Sequence, residues 1–244
     1  MRFVCVRYTS GSSRREKAGR RRGCKPMARE TEIKLRINDP KALHRLLKKL
    51  GARPVGSGTG RVHEWNVLFD TPQDGLAKHG QLLRIRTETP DEKSRSKKAM
   101  AGKRVLLTFK RPIDESRAAA SGRPGASRHK VREELEVQVA DGTVLAKIFE
   151  GLGLRGWFRY EKYRTTFRLP ASLKWAKELL VQLDETPIGT FVELEGPGEA
   201  IDRAARELGF SKSEYVLKNY LALYIEECRR RGQEPRDMVF PEKN

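Results

Sequence analysis

The stretch Glu30-Thr31-Glu32-Ile33-Lys34-Leu35-Arg36-Ile37 sets the terms for the rest of the chain. Side chains alternate faces along a strand, so Glu30, Glu32 and Lys34 point one way while Thr31, Ile33, Leu35 and Ile37 point the other. A single strand with charges in solvent reads identically. The question is whether other strands repeat the pattern, and they do. Arg84 and Arg86 alternate with Leu83 and Ile85, Thr108 and Lys110 with Leu107 and Phe109, and Arg132, Glu134 and Glu136 with Leu135 and Val137. Further on, Lys162 and Arg164 flank Tyr163, Gln182 and Asp184 alternate with Val181 and Leu183, and Glu193 and Glu195 with Val192 and Leu194.

Helical segments sit between these strands. Asp39 and Pro40 open a helix with Ala42, Leu43, Leu46, Leu47 and Leu50 on one face, and Gly51 stops it. After the strand Arg132–Val139 the design returns: Asp141 opens a helix with Val144, Leu145, Ile148, Phe149 and Leu152 on one face, closed by Gly153. Leu43, Leu50 and Gly51 fall on Leu145, Leu152 and Gly153 at a constant offset, which suggests two similar halves. Strands are predicted at Val62–Asp70, Leu82–Thr87, Arg104–Lys110, Phe158–Leu169, Leu179–Asp184 and Thr190–Glu195, and closing helices at Glu199–Leu208 and Ser213–Glu227. Gly56-Ser57-Gly58-Thr59-Gly60 lacks the Lys-Ser/Thr ending of a phosphate loop and leads into a strand, so it reads as a turn. The segments Pro90–Gly102 and Asp114–His129 read as exposed loops.

The helices need apolar surface, and the apolar sides of the strands supply it. The charged sides are left facing one another, as in a sheet curled into a closed barrel. The expected fold is therefore α+β: an eight-stranded antiparallel β-barrel with helices packed outside.

Composition narrows the function. At 244 residues, 37% hydrophobic and 34% charged, the chain can bury a core, and it has no apolar run of spanning length. A cytoplasmic protein without membrane contact is expected. Cys5, Cys24 and Cys228 form no CxxC pair, and the four histidines are scattered, so neither a zinc site nor a Ser-His-Asp arrangement has support. The net charge of +19 is concentrated in residues 1–28, where nine basic residues face Glu16, and in 93–130, where twelve face Asp114 and Glu115. Residues 1–28 read as a disordered basic extension, with Met27 as an alternative translation start.

Buried charge is costly unless it pairs, hydrates or binds a ligand. The row Arg84, Arg86, Lys110, Arg132, Lys162 and Arg164 suits a polyphosphate, since guanidinium groups grip phosphate oxygens in bidentate fashion. The carboxylates Glu30, Glu32, Glu134, Glu136, Asp184, Glu193 and Glu195 would repel that ligand, and make sense as ligands of a bridging divalent cation, Mg²⁺ or Mn²⁺.

In order along the chain, Glu30-x-Glu32-x-Lys34, Leu83-Arg84-Ile85-Arg86, Lys110, Arg132-x-Glu134-x-Glu136, Lys162-x-Arg164 and Gly189-x-Phe191-x-Glu193-x-Glu195 resemble the CYTH proteins, the triphosphate tunnel metalloenzymes. That family includes class IV adenylate cyclases, thiamine triphosphatases and inorganic triphosphatases. The resemblance covers residues 29–226 and leaves 227–244 as a polar C-terminal tail. It implies a triphosphate tunnel with metal held by Glu30, Glu32, Glu193 and Glu195, and triphosphate held by Lys34 and the basic row. Lys34, Arg132, Glu134 and Glu136 are the candidate catalytic groups, Glu134 and Glu136 serving charge balance or water positioning before direct metal binding. The implied substrate is ATP, thiamine triphosphate or inorganic triphosphate, the reaction a cyclisation or a hydrolysis, and the assembly a monomer or homodimer. The competing reading is a non-catalytic binder of polyphosphate or RNA through the basic extension, which lacks the interleaved aromatics that stack bases.

Overall fold

The computed structural model describes residues 28–56, 58–91, 102–113 and 128–241. The basic extension 1–27, and most of the two segments read as exposed loops, lie outside the described residues.

The described residues form nine strands: β1 (Ala28–Ile37), β2 (Arg53–Pro54), β3 (Arg61–Asp70), β4 (Leu82–Pro90), β5 (Arg104–Pro112), β6 (Lys130–Val139), β7 (Arg155–Arg168), β8 (Leu180–Thr186) and β9 (Gly189–Glu195). Every neighbouring pair is antiparallel, and the order β7-β3-β4-β5-β6-β1-β9-β8 closes because β8 pairs back onto β7. Eight strands thus form the barrel, and the two-residue β2 is an addition to the edge of β7. Among the described residues five helices accompany it: α1 (Pro40–Lys49), α2 (Gly75–Lys78), α3 (Gly142–Gly151), α4 (Gly198–Glu207) and α5 (Tyr220–Arg230).

The alternation read from the sequence is the alternation seen. Outward side chains Ile33, Leu35, Ile37, Val181, Leu183, Val192 and Leu194 pack under Leu43 and Leu47 of α1 and Ala200, Ile201, Ala204 and Ala205 of α4. Phe69, Ile85 and Val105 pack with Phe149 of α3 in a second layer. The strand-cap-helix-glycine unit recurs as predicted: Asp39 accepts from the Ala42 N–H, Asp141 from those of Thr143 and Val144, and Gly51 and Gly153 both take positive φ.

Two readings need correction, and the C-terminal segment adds a contact to the barrel. The last helix does not start at Ser213. A 3₁₀ turn (Lys212–Glu214) is followed by an extended run, Val216 exchanges two backbone hydrogen bonds with Lys34, and Asn219 caps α5 by accepting from the Ala222 N–H. The main-chain groups of β1 left bare where β6 departs are satisfied by Val216, and that pairing outweighs the helical period of the sequence. On α3, Val144, Ile148 and Leu152 are exposed, because the strand surface beneath the helix reaches only Leu145, Ala146 and Phe149. The residues after the last helix are polar in composition yet anchored: Met238 is 1% exposed, donates its N–H to the Arg159 carbonyl and accepts from the Glu161 N–H, while the Phe240 N–H donates to Glu161 Oε1.

Candidate active site

The inward faces enclose a cavity of about 660 Å³, and all the residues proposed from the sequence as site residues line it except Asp184: Glu30, Glu32, Lys34, Arg84, Arg86, Lys110, Arg132, Glu134, Glu136, Lys162, Arg164, Glu193 and Glu195. Alternation places them, since each barrel strand contributes every second side chain.

β1 supplies three adjacent inward groups. Lys34, 3% exposed, donates to Glu32 (3.1 Å) and pairs with Glu193 (3.2 Å) across the β1–β9 ladder. Burial works against the ammonium, but Glu193 and Glu32 raise its pKa above the ordinary lysine value. Burial likewise opposes the Glu32 anion, yet Lys34 and Lys130 carry its pKa down to about 2. Glu30 behaves in the opposite way. Burial, with Glu32 and Glu134 nearby, raises it although Lys110 donates to both its oxygens at 2.7 and 2.6 Å. Glu195 is pushed up to about 7 by burial and by Glu30; it accepts from Gln182 (3.1 Å) and has no ion pair among the described residues.

On β8, two strands from β1 around the barrel, Asp184 is completely buried and accepts from Lys162 (2.7 Å), from two nitrogens of Arg164 (both 2.6 Å) and from the Tyr220 hydroxyl of α5 (2.7 Å). Arg164 also grips Glu193. The ammonium groups of Lys34 and Lys162 stand 5.4 and 5.0 Å from the centre of the Tyr220 ring. Asp184, considered among the metal-binding carboxylates, is here the group that orients the cations of Lys162 and Arg164 and ties α5 to the barrel.

Arg84 donates to the Tyr160 hydroxyl (3.0 Å) and to Thr108 (3.1 Å), and Thr108 in turn donates to Glu136 (3.0 Å). Arg86 donates to Asn66 (2.9 Å) and Glu64 (3.2 Å). Glu134 stands 3.3 Å from Lys110, and Arg132 reaches across to the Gly80 carbonyl (2.9 Å).

Sequence reasoning missed Glu64, which is 2% exposed and gathers Arg86, Lys162 and Arg164 at 3.2 to 3.7 Å. Burial opposes its charge, but those cations bring its pKa down to about 2. The signal was available, since Glu64, Asn66, Leu68 and Asp70 alternate with His63, Trp65, Val67 and Phe69. Lys130 and Tyr220 were missed too, the first at the end of a segment read as a loop, the second inside the predicted closing helix. Asp70 also lines the cavity, but its oxygens accept from the backbone N–H groups of Thr71, Leu76 and Ala77 and build the turn that the Asp70-Thr71-Pro72 run signals.

Among the described residues no three His, Cys, Asp or Glu groups stand as a ready metal cluster, because lysines occupy the carboxylates. No helix among them is long and apolar enough to cross a membrane.

This arrangement of strands and charges has relatives. A protein of Methanocaldococcus jannaschii named "Putative adenylate cyclase" is 25% identical over 199 residues, covering 80% of this chain and 97% of its own length. A Pyrococcus horikoshii structure superposes with a TM-score of 0.58 at 20% identity, covering 82% of this chain and 98% of that one. A Vibrio parahaemolyticus structure described as a "putative adenylate cyclase" gives 0.57 at 18%, covering 78% and 94%. At these identities the two superpositions speak to the fold. The CYTH domain model matches residues 28–220, and with that match over most of its length the chain belongs to the CYTH domain family.

Proposed function

We propose that this chain is a divalent-cation-dependent enzyme acting on a triphosphate, by cyclisation of ATP to cyclic AMP and pyrophosphate or by hydrolysis of an organic or inorganic triphosphate. The observation that carries the reading is the charge count of the cavity. Nine Lys and Arg side chains and nine Asp and Glu side chains line it. A neutral lining cannot take up the several negative charges of a triphosphate without further positive charge. A divalent cation entering with the substrate supplies that charge.

The donor set fits such a cation. Glu30, Glu32, Glu193 and Glu195 offer hard oxygen ligands of the kind Mg²⁺ and Mn²⁺ prefer. The raised pKa of Glu195, caused by burial and by Glu30, marks a carboxylate whose local positive charge is insufficient. When bound, the cation would neutralise phosphate charge and polarise the phosphoryl oxygens.

The protein's own residues do the rest. Arg84, Arg86, Lys162 and Arg164 hold phosphate oxygens from orientations fixed by Tyr160, Asn66, Glu64 and Asp184. Lys34, held cationic by Glu193 and Glu32, sits between the carboxylates and the phosphates and stabilises charge that develops during in-line attack. Lys110 and Arg132 complete the phosphate contacts, and Glu134 and Glu136 balance charge or position water.

The test is direct. Purified protein with Mg²⁺ or Mn²⁺ is offered ATP, tripolyphosphate and thiamine triphosphate, and the products are resolved by chromatography. Cyclic AMP establishes the cyclase, orthophosphate the triphosphatase, and turnover of none refutes the proposal. Glu32→Gln is expected to abolish cation-dependent turnover while leaving a folded protein.

A further inference from the structure

One end of the β3–β7 wall lies beyond the residues proposed to hold phosphate. β3 and β7 pair residue by residue from Arg61 with Thr165 to Leu68 with Phe158, and then the register slips, so that Phe69 pairs with Gly156 and Trp157 has no partner across the ladder. One extra residue in a strand is a β-bulge, a device that re-aims a side chain. Strict alternation from Tyr160 and Lys162 would turn Trp157 outward; the bulge makes it part of the cavity lining instead. Its neighbour is glycine, where a Cβ would come within 3.1 Å of Val67 Cγ1, so the bulge closes against a residue without a side chain.

Trp157 is 38% exposed, unlike the buried Phe158 and Tyr160 that follow it. Beside it the lining is apolar, with Leu68 and Leu82 from the barrel and Leu221 from α5. Tyr160, which positions Arg84, lies three residues along the same strand, roughly 10 Å away at the usual rise. A single ester can therefore touch both the aromatic wall and the phosphate-binding guanidinium.

We infer that Trp157, with Leu82 and Leu221, forms a subsite for an aromatic heterocycle joined to the triphosphate, so that organic triphosphates are preferred over the inorganic one. The inference rests on the triphosphate reading above. Inorganic triphosphate has no group to fill an apolar wall, whereas a base or thiazole-bearing ring gains by stacking on an indole face already fixed by the strand.

The experiment measures kcat/KM for ATP, for thiamine triphosphate and for tripolyphosphate with Mn²⁺, in the wild type, Trp157→Leu and Trp157→Phe. The leucine keeps apolar bulk and removes the ring; the phenylalanine keeps a ring. Trp157→Leu is expected to lower the organic-to-inorganic ratio about tenfold for at least one organic substrate, mainly through KM. Trp157→Phe should restore most of it. The ATP and thiamine triphosphate arms tell which heterocycle is taken. In a second measurement, Trp65→Phe/Trp175→Phe protein leaves Trp157 as the remaining indole, whose fluorescence should be quenched more by the preferred organic triphosphate than by tripolyphosphate. Unchanged ratios in Trp157→Leu, or equal quenching by all ligands, would overturn the subsite. A wild type that turns over tripolyphosphate alone would overturn it and leave the triphosphate reading standing; one that neither binds nor turns over any triphosphate would overturn both.

Discussion

Replacing Asp184 by Asn tests whether the cation wall is held by one buried carboxylate. Asp184 is completely buried and accepts four hydrogen bonds, three from Lys162 and Arg164 at 2.6 to 2.7 Å and one from Tyr220 at 2.7 Å. Asparagine keeps the shape but removes the charge, leaving two buried cations with Glu64 and Glu193 as their nearest counter-ions. Removing one partner of a buried ion pair costs roughly 3–5 kcal/mol. Because the amide oxygen still accepts and Glu64 and Glu193 remain, the lower end applies, about 3 kcal/mol. For a chain of this size that corresponds to a fall in Tm of roughly 6–12 °C. Urea unfolding of wild type and variant gives the number directly. Repeating it with tripolyphosphate and Mn²⁺ should raise the stability of both proteins by linkage, since a ligand of the folded state stabilises it. Tyr220→Phe, which removes one hydrogen bond, should cost only about 1 kcal/mol and should not add fully to the Asp184 change, because both act on one network. A loss below about 1 kcal/mol in Asp184→Asn would show that the wall stands without Asp184 and would refute the argument.

The raised pKa of Glu195, about 7 against the ordinary 4.5, favours the protonated carboxyl in the fold. Its contribution to stability is therefore full below about pH 4.5 and lost as pH rises through 7. Glu195→Gln imitates the protonated form, so in EDTA it should match the wild type at pH 4.5 and exceed it at pH 8 by up to about 3 kcal/mol, read from urea midpoints. Equal midpoints at both pH values would remove the crowding argument from this carboxylate. Met238→Ala empties a site beside Tyr160 and should cost about 2–5 kcal/mol, with earlier proteolytic nicking after Arg231; unchanged stability and nicking would show that the segment is not anchored by its methionine.

The sequence reveals the barrel because burial and charge keep the same two-residue period in nearly every strand. Ile33, Leu35 and Ile37 could face helices only if Glu30, Glu32 and Lys34 faced inward, and all six do so. The same logic reaches Glu64 once β3 is read with that period. Val216 and Trp157 are different. Val216–Lys218 has a helical composition, and only the unpaired main chain of β1 draws it into an extended bridge. Trp157 belongs by count to the outer face, and only the slipped register against Phe69 brings it into the cavity lining.

That contrast bears on how the site divides its work. The groups legible from alternation, Arg84, Arg86, Lys162 and Arg164, are the proposed contacts to phosphate, the part common to every proposed substrate. Their geometry is fixed by the regular ladder and by buried partners, Tyr160, Asn66, Glu64 and Asp184. The groups that alternation misplaces line the part of the cavity inferred above to take the group in which the proposed substrates differ: a bulged tryptophan at the apolar wall, and an extended segment that carries Asn219, Tyr220 and Leu221 to the cavity. A regular barrel can repeat cations around its wall, but a ring bound at one place needs a local break in the period. The irregularities in β7 and before α5 are therefore the positions at which a change of sequence should alter choice of substrate before it alters grip on phosphate.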